Sequence, residues 1–211
     1  CVPAVTGFDD SGSYVDAAQV AETMKWDDVV GLGEMMNFPG ILGGEENAQH
    51  EVGETLKAGK CVTGHYSISE TDRGLNAYIA SGVRACHECI TSDDVMAKLR
   101  MGMYVQARYG SAWLSLPNYL PQVLESGVDT RLIILCTDDN HPNTLVNEGG
   151  MDRALRAVLE CGCDPVTALQ FATINAAQCL GVDQDMGSIT PGKCADMVIL
   201  PNLETFIPEQ V

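Results

Sequence analysis

Positive charge is scarce in this sequence of 211 residues. Twelve lysines and arginines stand against 29 aspartates and glutamates, which gives a formal net charge of −17 at pH 7. Binding to nucleic-acid phosphates or to an anionic membrane surface needs clustered lysine and arginine side chains. The composition therefore predicts no nucleic-acid partner and no membrane partner, and it favours a small neutral or cationic ligand or a metal ion.

Long apolar runs are also lacking. The longest strongly apolar run, residues 132–136, is far too short to span a bilayer, and residues 1–4 have none of the features of a secretory signal. The nine cysteines are an odd number in a chain that is 45% hydrophobic and can build an apolar core without disulfides. We therefore expect buried free thiols and a cytoplasmic protein.

Several familiar motifs are missing or incomplete. Gly31-x-Gly33 lacks the third glycine of a dinucleotide-binding loop, and the chain contains neither a phosphate-binding loop nor a Gly-x-Ser-x-Gly turn. Cys86-x-x-Cys89 leaves a redox motif or a structural zinc site as minor alternatives. A zinc site needs a second ligand pair, and Cys161-x-Cys163 is one residue too tight for it.

Short apolar runs alternate with helical segments along most of the chain. The pattern predicts five buried strands, at residues 29–33, 60–64, 82–86, 103–108 and 132–136. It predicts helices at residues 45–58, 73–81, 95–101 (capped by Ser92–Asp94), 111–126, 151–161 and 165–180. Such alternation is typical of an α/β fold with a parallel sheet. A turn-rich segment and a predicted strand at 195–200 follow, which places a domain boundary between 1–181 and 182–211.

Four ionisable residues lie at the ends of predicted strands: Glu34, His65, His87 and Asp138. Because the carboxyl ends of parallel strands meet on one face, these side chains are expected to converge there. Two imidazoles and two carboxylates suit a divalent ion such as Zn²⁺, Fe²⁺ or Mn²⁺. Taken singly, each histidine also fits a hydrogen-bonded structural role, and each carboxylate fits a helix cap.

Five stretches carry a family resemblance: VGLGEMMNFPG at 30–40, LNAYIASG at 75–82 with HEC at 87–89, KLRMGMY at 98–104 with GSA at 110–112, LCTDD at 135–139, and GxIxPGxxAD at 187–196. In this order they resemble the bacterial-type adenine deaminases of the amidohydrolase superfamily, and the similarity runs from residue 1 to about 204. The resemblance implies a (β/α)8 metal-dependent hydrolase barrel of the TIM type, with strands 3–8 present here, plus part of a small β-sandwich domain.

The resemblance also implies the roles of the four strand-end residues. Glu34 would bridge two metal ions and take part in catalysis, His65 and His87 would bind the more exposed ion, and Asp138 would bind the buried ion and shuttle a proton. The implied reaction is hydrolytic deamination of adenine to hypoxanthine and ammonia by a metal-activated hydroxide, with a binuclear Mn²⁺ or Fe²⁺ centre and Zn²⁺ as a third candidate.

Two further ionisable residues are expected close to these four. His141 and Glu88 are expected to lie just outside the metal ligands, whereas His50 falls in a predicted helix and receives no role. Two segments beside the ligands depart from the family pattern: Ala85-Cys86 replaces a Ser/Thr-Asp pair, and residues 66–71 replace a Pro-containing turn. These departures keep open a different aminopurine or a cyclic amide as the substrate.

The largest departure is the lack of a His-x-His motif, with which such barrels begin. The sequence therefore predicts a portion of a longer enzyme that holds one complete set of ligands. An inactive fragment, or a non-catalytic assembly module, is the alternative from another functional class. The unpaired sheet edges of an incomplete barrel favour association, so a homo-oligomer is also expected.

Overall fold

The computed structural model describes residues 2–5 and 7–211, and a five-stranded parallel sheet is its central element. The strands are hydrogen-bonded to one another in the order in which they occur along the chain. They are β1 (Gly31–Met35), β2 (Cys61–Gly64), β3 (Ala85–Cys86), β4 (Tyr104–Arg108) and β5 (Ile133–Cys136). Neighbours in sequence are therefore neighbours in space, as repeated βα units require.

Helices connect and flank the strands. They are α1 (Ala17–Thr23), α2 (Phe38–Gly43), α3 (Glu46–Lys57), α4 (Arg73–Ala80), α5 (Ser92–Arg100), α6 (Leu116–Glu125), α7 (Pro142–Asn147), α8 (Met151–Glu160), α9 (Pro165–Ala172) and α10 (Ile174–Leu180). A short 3₁₀ turn, Thr130–Leu132, leads into β5. No helix of the described ranges is long and apolar enough to cross a membrane.

Both faces of the sheet are buried, because successive strand side chains point to opposite sides. In β5, Ile133 and Leu135 pack in a large apolar cluster with helices α5, α6, α8 and α9. Ile134 points to the other face, where it joins Tyr104 and Cys179 of α10. The apolar runs of the sequence are thus continuous rather than alternating, as expected for a parallel sheet covered on both faces.

All five strands that the sequence predicts are present. Each begins one to three residues later than predicted, and four end at the predicted residue, whereas β1 ends two residues later. The resemblance implied six barrel strands, and the described part of the chain has five. The described residues before α1 add no further strand, because they form only one antiparallel bridge, between Val2 and Val15. Residues 7–14 are exposed and mostly polar or glycine, so they have no apolar face to bury in a sheet.

The six predicted helices are present, although the one predicted over 111–126 begins only at Leu116, and α1, α2 and α7 were not predicted. Two further local corrections concern α5 and the segment 165–180. Thr91, not the segment Ser92–Asp94, caps α5: its hydroxyl accepts a hydrogen bond from Asp94 N, and the Asp94 carboxylate accepts one from Thr91 N. This reciprocal pair satisfies two free N–H groups at the helix start. The single helix predicted over 165–180 is divided at Thr173, whose φ of −127° and ψ of −95° are not helical.

The strand predicted at residues 195–200 is wrong. Only Ile199 forms a bridge there, with Gln210, and Met197, Val198 and Ile199 are each about half exposed. A strand needs a neighbour to satisfy its backbone groups, and the described chain provides no second strand beside this segment.

The cysteines form no disulfide in the described part of the chain. Five of the eight described thiols are buried, and Cys194 is exposed, contrary to the expectation that all would be buried. Burial raises the pKa of Cys86 and raises that of Cys89 to about 12. A redox motif needs a reactive thiolate, which these buried surroundings disfavour. Among the described residues, no group of side chains suited to hold a metal ion includes a cysteine, so the zinc alternative gains no support.

Close packing at Gly110 fixes the loop after β4 against the loop after β5. A Cβ atom at this position would overlap the carbonyl oxygen of Thr137 and would lie 2.6 Å from that of Asp139. Ser111 N donates a hydrogen bond to the same Asp139 oxygen. The segment that carries Asp138 therefore depends on a residue without a side chain at position 110.

We predict that Gly110→Ala destabilises the protein by about 1–3 kcal/mol, because the added methyl group has no room. Gly43→Ala is the matched control: nothing lies within 4 Å of a Cβ there, and the position is helical, so stability should stay the same or rise by up to about 1 kcal/mol. Urea unfolding of the two variants and the wild type measures both effects. Equal stability of the two variants would contradict the close packing.

Candidate metal centre

The four strand-end residues lie together at one edge of the sheet. Glu34 is the fourth residue of β1, His65 and His87 directly follow β2 and β3, and Asp138 comes two residues after β5. Since all five strands are parallel, their carboxyl ends open on the same edge. The fold therefore gathers side chains that lie far apart in the sequence.

Contacts among these side chains are short. Nε2 of His87 lies 3.0 Å from Glu34 Oε2 and 3.2 Å from Nδ1 of His65. Nδ1 of His65 is 3.7 Å from the same Glu34 oxygen. Asp138 is reached through His87, with 4.0 Å between Oδ2 and Nε2. All four side chains are largely but not completely buried, with 12–31% of each exposed.

Glu88 and Arg108 complete the cluster. Glu88 Oε1 lies 3.6 Å from His65 Nδ1 and 3.7 Å from His87 Nε2, and it accepts a hydrogen bond from Arg108 Nη1. The same Nη1 donates to Asp138 Oδ2 at 2.9 Å. The expectation for Glu88 placed it beside the ligands, and the structure places it in direct contact with both imidazoles.

Arg108 is the functional candidate that the sequence reasoning missed. It is the last residue of β4, the one predicted strand whose end was assigned no polar residue. The signal was available, because the other four strands each end close to an ionisable side chain. Arg108 is only 3% exposed, and its guanidinium lies 4.9 Å from the centre of the Trp113 ring, which covers it.

The electrostatics of the cluster follow from burial and close charges. Burial opposes ionisation of Asp138, but the hydrogen bonds from Arg108 and from Asp139 N, together with the charges of His87 and Arg108, outweigh it and lower the pKa of Asp138. Burial likewise opposes ionisation of Glu34, and its contacts with His65 and His87 outweigh it, so the pKa of Glu34 is lowered. Both carboxylates are therefore ionised at neutral pH.

The two histidines differ in their protonation behaviour. Burial lowers the pKa of His87, which favours the neutral ring that binds a metal. Burial acts in the same direction on His65, but its hydrogen bond with Glu34 and the charge of Glu88 outweigh it, so the pKa of His65 is raised. His65 is therefore the first of the two to take up a proton as the pH falls.

Hydrogen bonds behind the cluster connect adjacent strand ends. The Tyr78 hydroxyl donates to Met35 O at 2.5 Å and accepts from His65 N at 3.0 Å, which joins the ends of β1 and β2. Tyr66 N donates to Cys86 Sγ at 3.2 Å, which joins the ends of β2 and β3. These buried contacts leave the histidine-bearing segments little freedom to move apart.

Asp138 has a backbone conformation that is rare for a residue with a side chain. Its φ of 58° lies in the left-handed region, and its Oδ1 accepts a hydrogen bond from Asp139 N at 2.7 Å. Aspartate tolerates this region better than most residues because its carboxylate can bond locally. Such strain is common at functional sites, where the surrounding structure holds it.

Two other histidines have different positions. His141 lies at the start of α7, where its ring nitrogen accepts a hydrogen bond from Asn143 N, and its own N–H donates to Ser111 Oγ. Its role beside the ligands stays a prediction. His50 is exposed on α3, as expected for a residue without a role.

The donor atoms form two sets that could each hold a metal ion. Glu34, His65 and His87 make one set, and His87, Glu88 and Asp138 make the other; within each set the donor atoms lie within 4.8 Å of one another. Three carboxylates face one guanidinium in this cluster, so negative charge is in excess. Imidazole and carboxylate donors suit borderline divalent ions, and a divalent ion would balance the excess charge.

We predict that Arg108→Met lowers the free energy of unfolding at pH 7 by about 3–5 kcal/mol, because it leaves Glu88 and Asp138 without their buried cation. The lowered pKa of Asp138 stabilises the folded state above the ordinary aspartate pKa of about 3.9, and this contribution is lost as the pH falls through the folded value. The difference in the free energy of unfolding between wild type and variant should therefore become smaller below pH 4 in metal-free protein.

Arg131→Met is the matched control for this prediction. Arg131 makes the same kind of ion pair, with Asp129, but it is 84% exposed. Its replacement should leave the unfolding midpoint unchanged, since exposed pairs are screened by water. If the two substitutions lowered the free energy of unfolding equally, the claim that Arg108 stabilises the buried carboxylates would be wrong.

Comparison with known proteins extends over the whole chain. Residues 117–209 match the amidohydrolase family. A protein named adenine deaminase from Clostridium botulinum (strain 657 / Type Ba4) is 54% identical over 204 residues, which cover 97% of this chain and 34% of the relative. One of the same name from Paracoccus denitrificans is 43% identical over 100% of this chain and 35% of the relative.

Solved structures share the fold at low sequence identity. Phenylurea hydrolase B superposes with a TM-score of 0.58 at 15% identity, over 90% of this chain and 53% of that one. N-acetylglucosamine-6-phosphate deacetylase from Pasteurella multocida superposes with a TM-score of 0.54 at 19% identity, over 72% of this chain and 49% of that one. These likenesses and the parallel α/β sheet fit a fold of the TIM-barrel type. The chain spans about a third of the length of the curated relatives that it matches. The family predicted from the motifs is confirmed: this chain belongs to the amidohydrolase superfamily.

Proposed function

We propose that the full-length gene product hydrolyses adenine to hypoxanthine and ammonia. One observation carries the proposal: Glu34, His65, His87 and Asp138 meet at one sheet edge in a chain that is 43–54% identical to proteins named adenine deaminase. In this reaction water adds at C6 of the purine, the bond from C6 to the exocyclic nitrogen breaks, and ammonia leaves. A neutral base also suits a protein of charge −17.

The residues supply one complete set of ligands for a divalent ion and part of the set for a second ion, with Mn²⁺ or Fe²⁺ as the proposed metals and Zn²⁺ as the third candidate. His65 and His87 would hold one ion, Asp138 would hold the other, and Glu34 would contact both. When bound, such ions supply Lewis-acid chemistry that makes water acidic near neutral pH. The excess of carboxylates over cations in the cluster supports this assignment, because an added positive charge is needed to balance it.

Asp138 would move the proton in this reaction. Its Oδ2 accepts a hydrogen bond from Arg108, which keeps the carboxylate ionised and ready to accept a proton from water. The same oxygen can then deliver the proton to the departing amine. Arg108 keeps this carboxylate in place, and the buried Tyr78 and Cys86 contacts keep the histidines beside it.

The remaining expectations concern the rest of the protein. We propose that residues 1–181 belong to a closed (β/α)8 barrel, completed by strands outside this chain, and that residues 182–211 belong to a small β-sandwich domain. The half-exposed Met197, Val198 and Ile199 support the second part, because a partner strand would cover them. A cytoplasmic location is supported by the unpaired thiols. Self-association is proposed for this chain by itself, because its sheet has open edges, which the closed barrel of the full-length protein would not have.

We predict that the full-length protein loaded with Mn²⁺ releases ammonia from adenine, and that Asp138→Asn lowers kcat by about 10²–10⁴-fold because the proton carrier is lost. Asp28→Asn, a change of the same kind at an exposed residue, should leave kcat unchanged. Ammonia and hypoxanthine are measured together. Release from a lactam or another aminopurine but not from adenine would reject the proposed substrate, and no release from any of these would reject the enzymatic function.

We predict that His87→Asn weakens Mn²⁺ binding strongly, whereas His50→Asn, at an exposed histidine of α3, does not.

Metal binding requires neutral imidazoles, and the pKa of His65 is raised. Mn²⁺ affinity should therefore begin to fall above the ordinary histidine pKa of about 6.5 as the solution is acidified. Competition with a chelator across a pH series measures this, and a pH-independent affinity would contradict the ligand set.

A further inference from the structure

Lys98 is the only buried lysine among the described residues, and it lies on α5 directly behind the metal centre. It is 1% exposed. Burying an ammonium group is costly unless other groups replace its hydration. No carboxylate of the described chain lies within ion-pair distance of its Nζ. The contacts that replace the hydration of this ammonium group are therefore not ion pairs with carboxylates.

The strongest of these contacts is with the backbone beside His87. Nζ of Lys98 donates a hydrogen bond to the carbonyl oxygen of Glu88 at 2.7 Å and lies 3.4 Å from Sγ of Cys89. Glu88 is the residue whose carboxylate contacts both imidazoles and Arg108. Lys98 thus holds the main chain of a residue whose side chain forms part of the cluster.

The same ammonium also faces the segment beside His65. Nζ lies 6.0 Å from the centre of the Tyr66 ring, close enough for a cation–π interaction in a buried setting. Tyr66 directly follows His65, is itself 1% exposed, and donates its N–H to Cys86 Sγ. One buried side chain therefore contacts both segments that carry the histidines.

We propose that Lys98 is a positioning residue for the metal centre, and that its ammonium fixes the separation of His65 and His87 through the Tyr66 ring and the Glu88 carbonyl. Partners just behind metal ligands set ligand orientation, and their loss typically costs 10–100-fold in metal affinity or activity. Lys98 does not contact the ligand atoms, so it acts through Tyr66 and Glu88. The catalytic part of this inference rests on the proposed function, whereas the metal-binding part does not.

Lys98→Met tests the proposal, because methionine keeps the length of the buried chain but removes the donor and the charge. In the full-length protein we expect Mn²⁺ affinity to fall about 10–100-fold and kcat for adenine to fall by a similar factor. KM should stay within about twofold, since the side chain is buried behind the segments that carry the histidines. Lys57→Met is the control: Lys57 is 72% exposed and pairs only with Glu54, so all three values should match the wild type.

The affinity measurement separates positioning from a merely structural role. A folded Lys98→Met protein with wild-type Mn²⁺ affinity and kcat would overturn the proposal. If this variant does not fold, Lys98→Arg decides, because it keeps the charge but shifts the donor atoms away from the Glu88 carbonyl. A folded Lys98→Arg protein should lose at least about threefold in Mn²⁺ affinity, and wild-type affinity would overturn the proposal. A wild type that binds Mn²⁺ but releases no ammonia would reject only the proposed function.

Discussion

One buried guanidinium makes the candidate centre compatible with a folded protein. The parallel sheet brings Glu34, Glu88 and Asp138 to the same edge, and at that distance like charges repel each other strongly in a largely dry environment. Arg108 contacts two of these carboxylates, and its own burial beneath Trp113 keeps water from screening the contact. The centre still carries more negative than positive charge. Without a bound cation, this excess negative charge destabilises the folded protein, and the same charge attracts cations to the site.

The positions of the ligands depend on connections between neighbouring strand ends rather than on the strands alone. β3 has only two residues, so its hydrogen bonds cannot by themselves hold the His87 segment. The Tyr78 hydroxyl, the Cys86 thiol and the Lys98 ammonium each connect one strand end to the next. Each is buried, so breaking it would leave a polar group without a partner. Cys86 and Tyr66, which depart from the family pattern, bond to each other and so join the two segments that carry the histidines.

Much of the fold could be predicted because the sheet is parallel and buried on both faces. Continuous apolar runs such as residues 132–136 then predict strands directly, and glycines such as Gly82 mark the ends of the helices between them. The predictions were wrong where an element depends on partners distant in sequence. Residues 195–200 have the composition of a strand, but the described part of the chain provides no neighbouring strand for them. The helix start at Thr91 was missed because Ser92 and Asp93 are equally good cap residues by composition.

The sequence by itself determined the family, the order of the five strands and of most helices between them, and the identity of four candidate ligands, because strand-end positions in a parallel sheet are set by local pattern. Only the tertiary structure decided which further groups join them. Arg108 is the last residue of β4, whereas Glu34 is the fourth of the five residues of β1, but nothing local indicates that a cation at the end of β4 would face two carboxylates. Lys98 is a similar case, since a lysine on a helix is normally exposed, and its burial follows from packing α5 against the segments after β2 and β3. Charge compensation and burial depend on distances across the fold, which no local pattern contains.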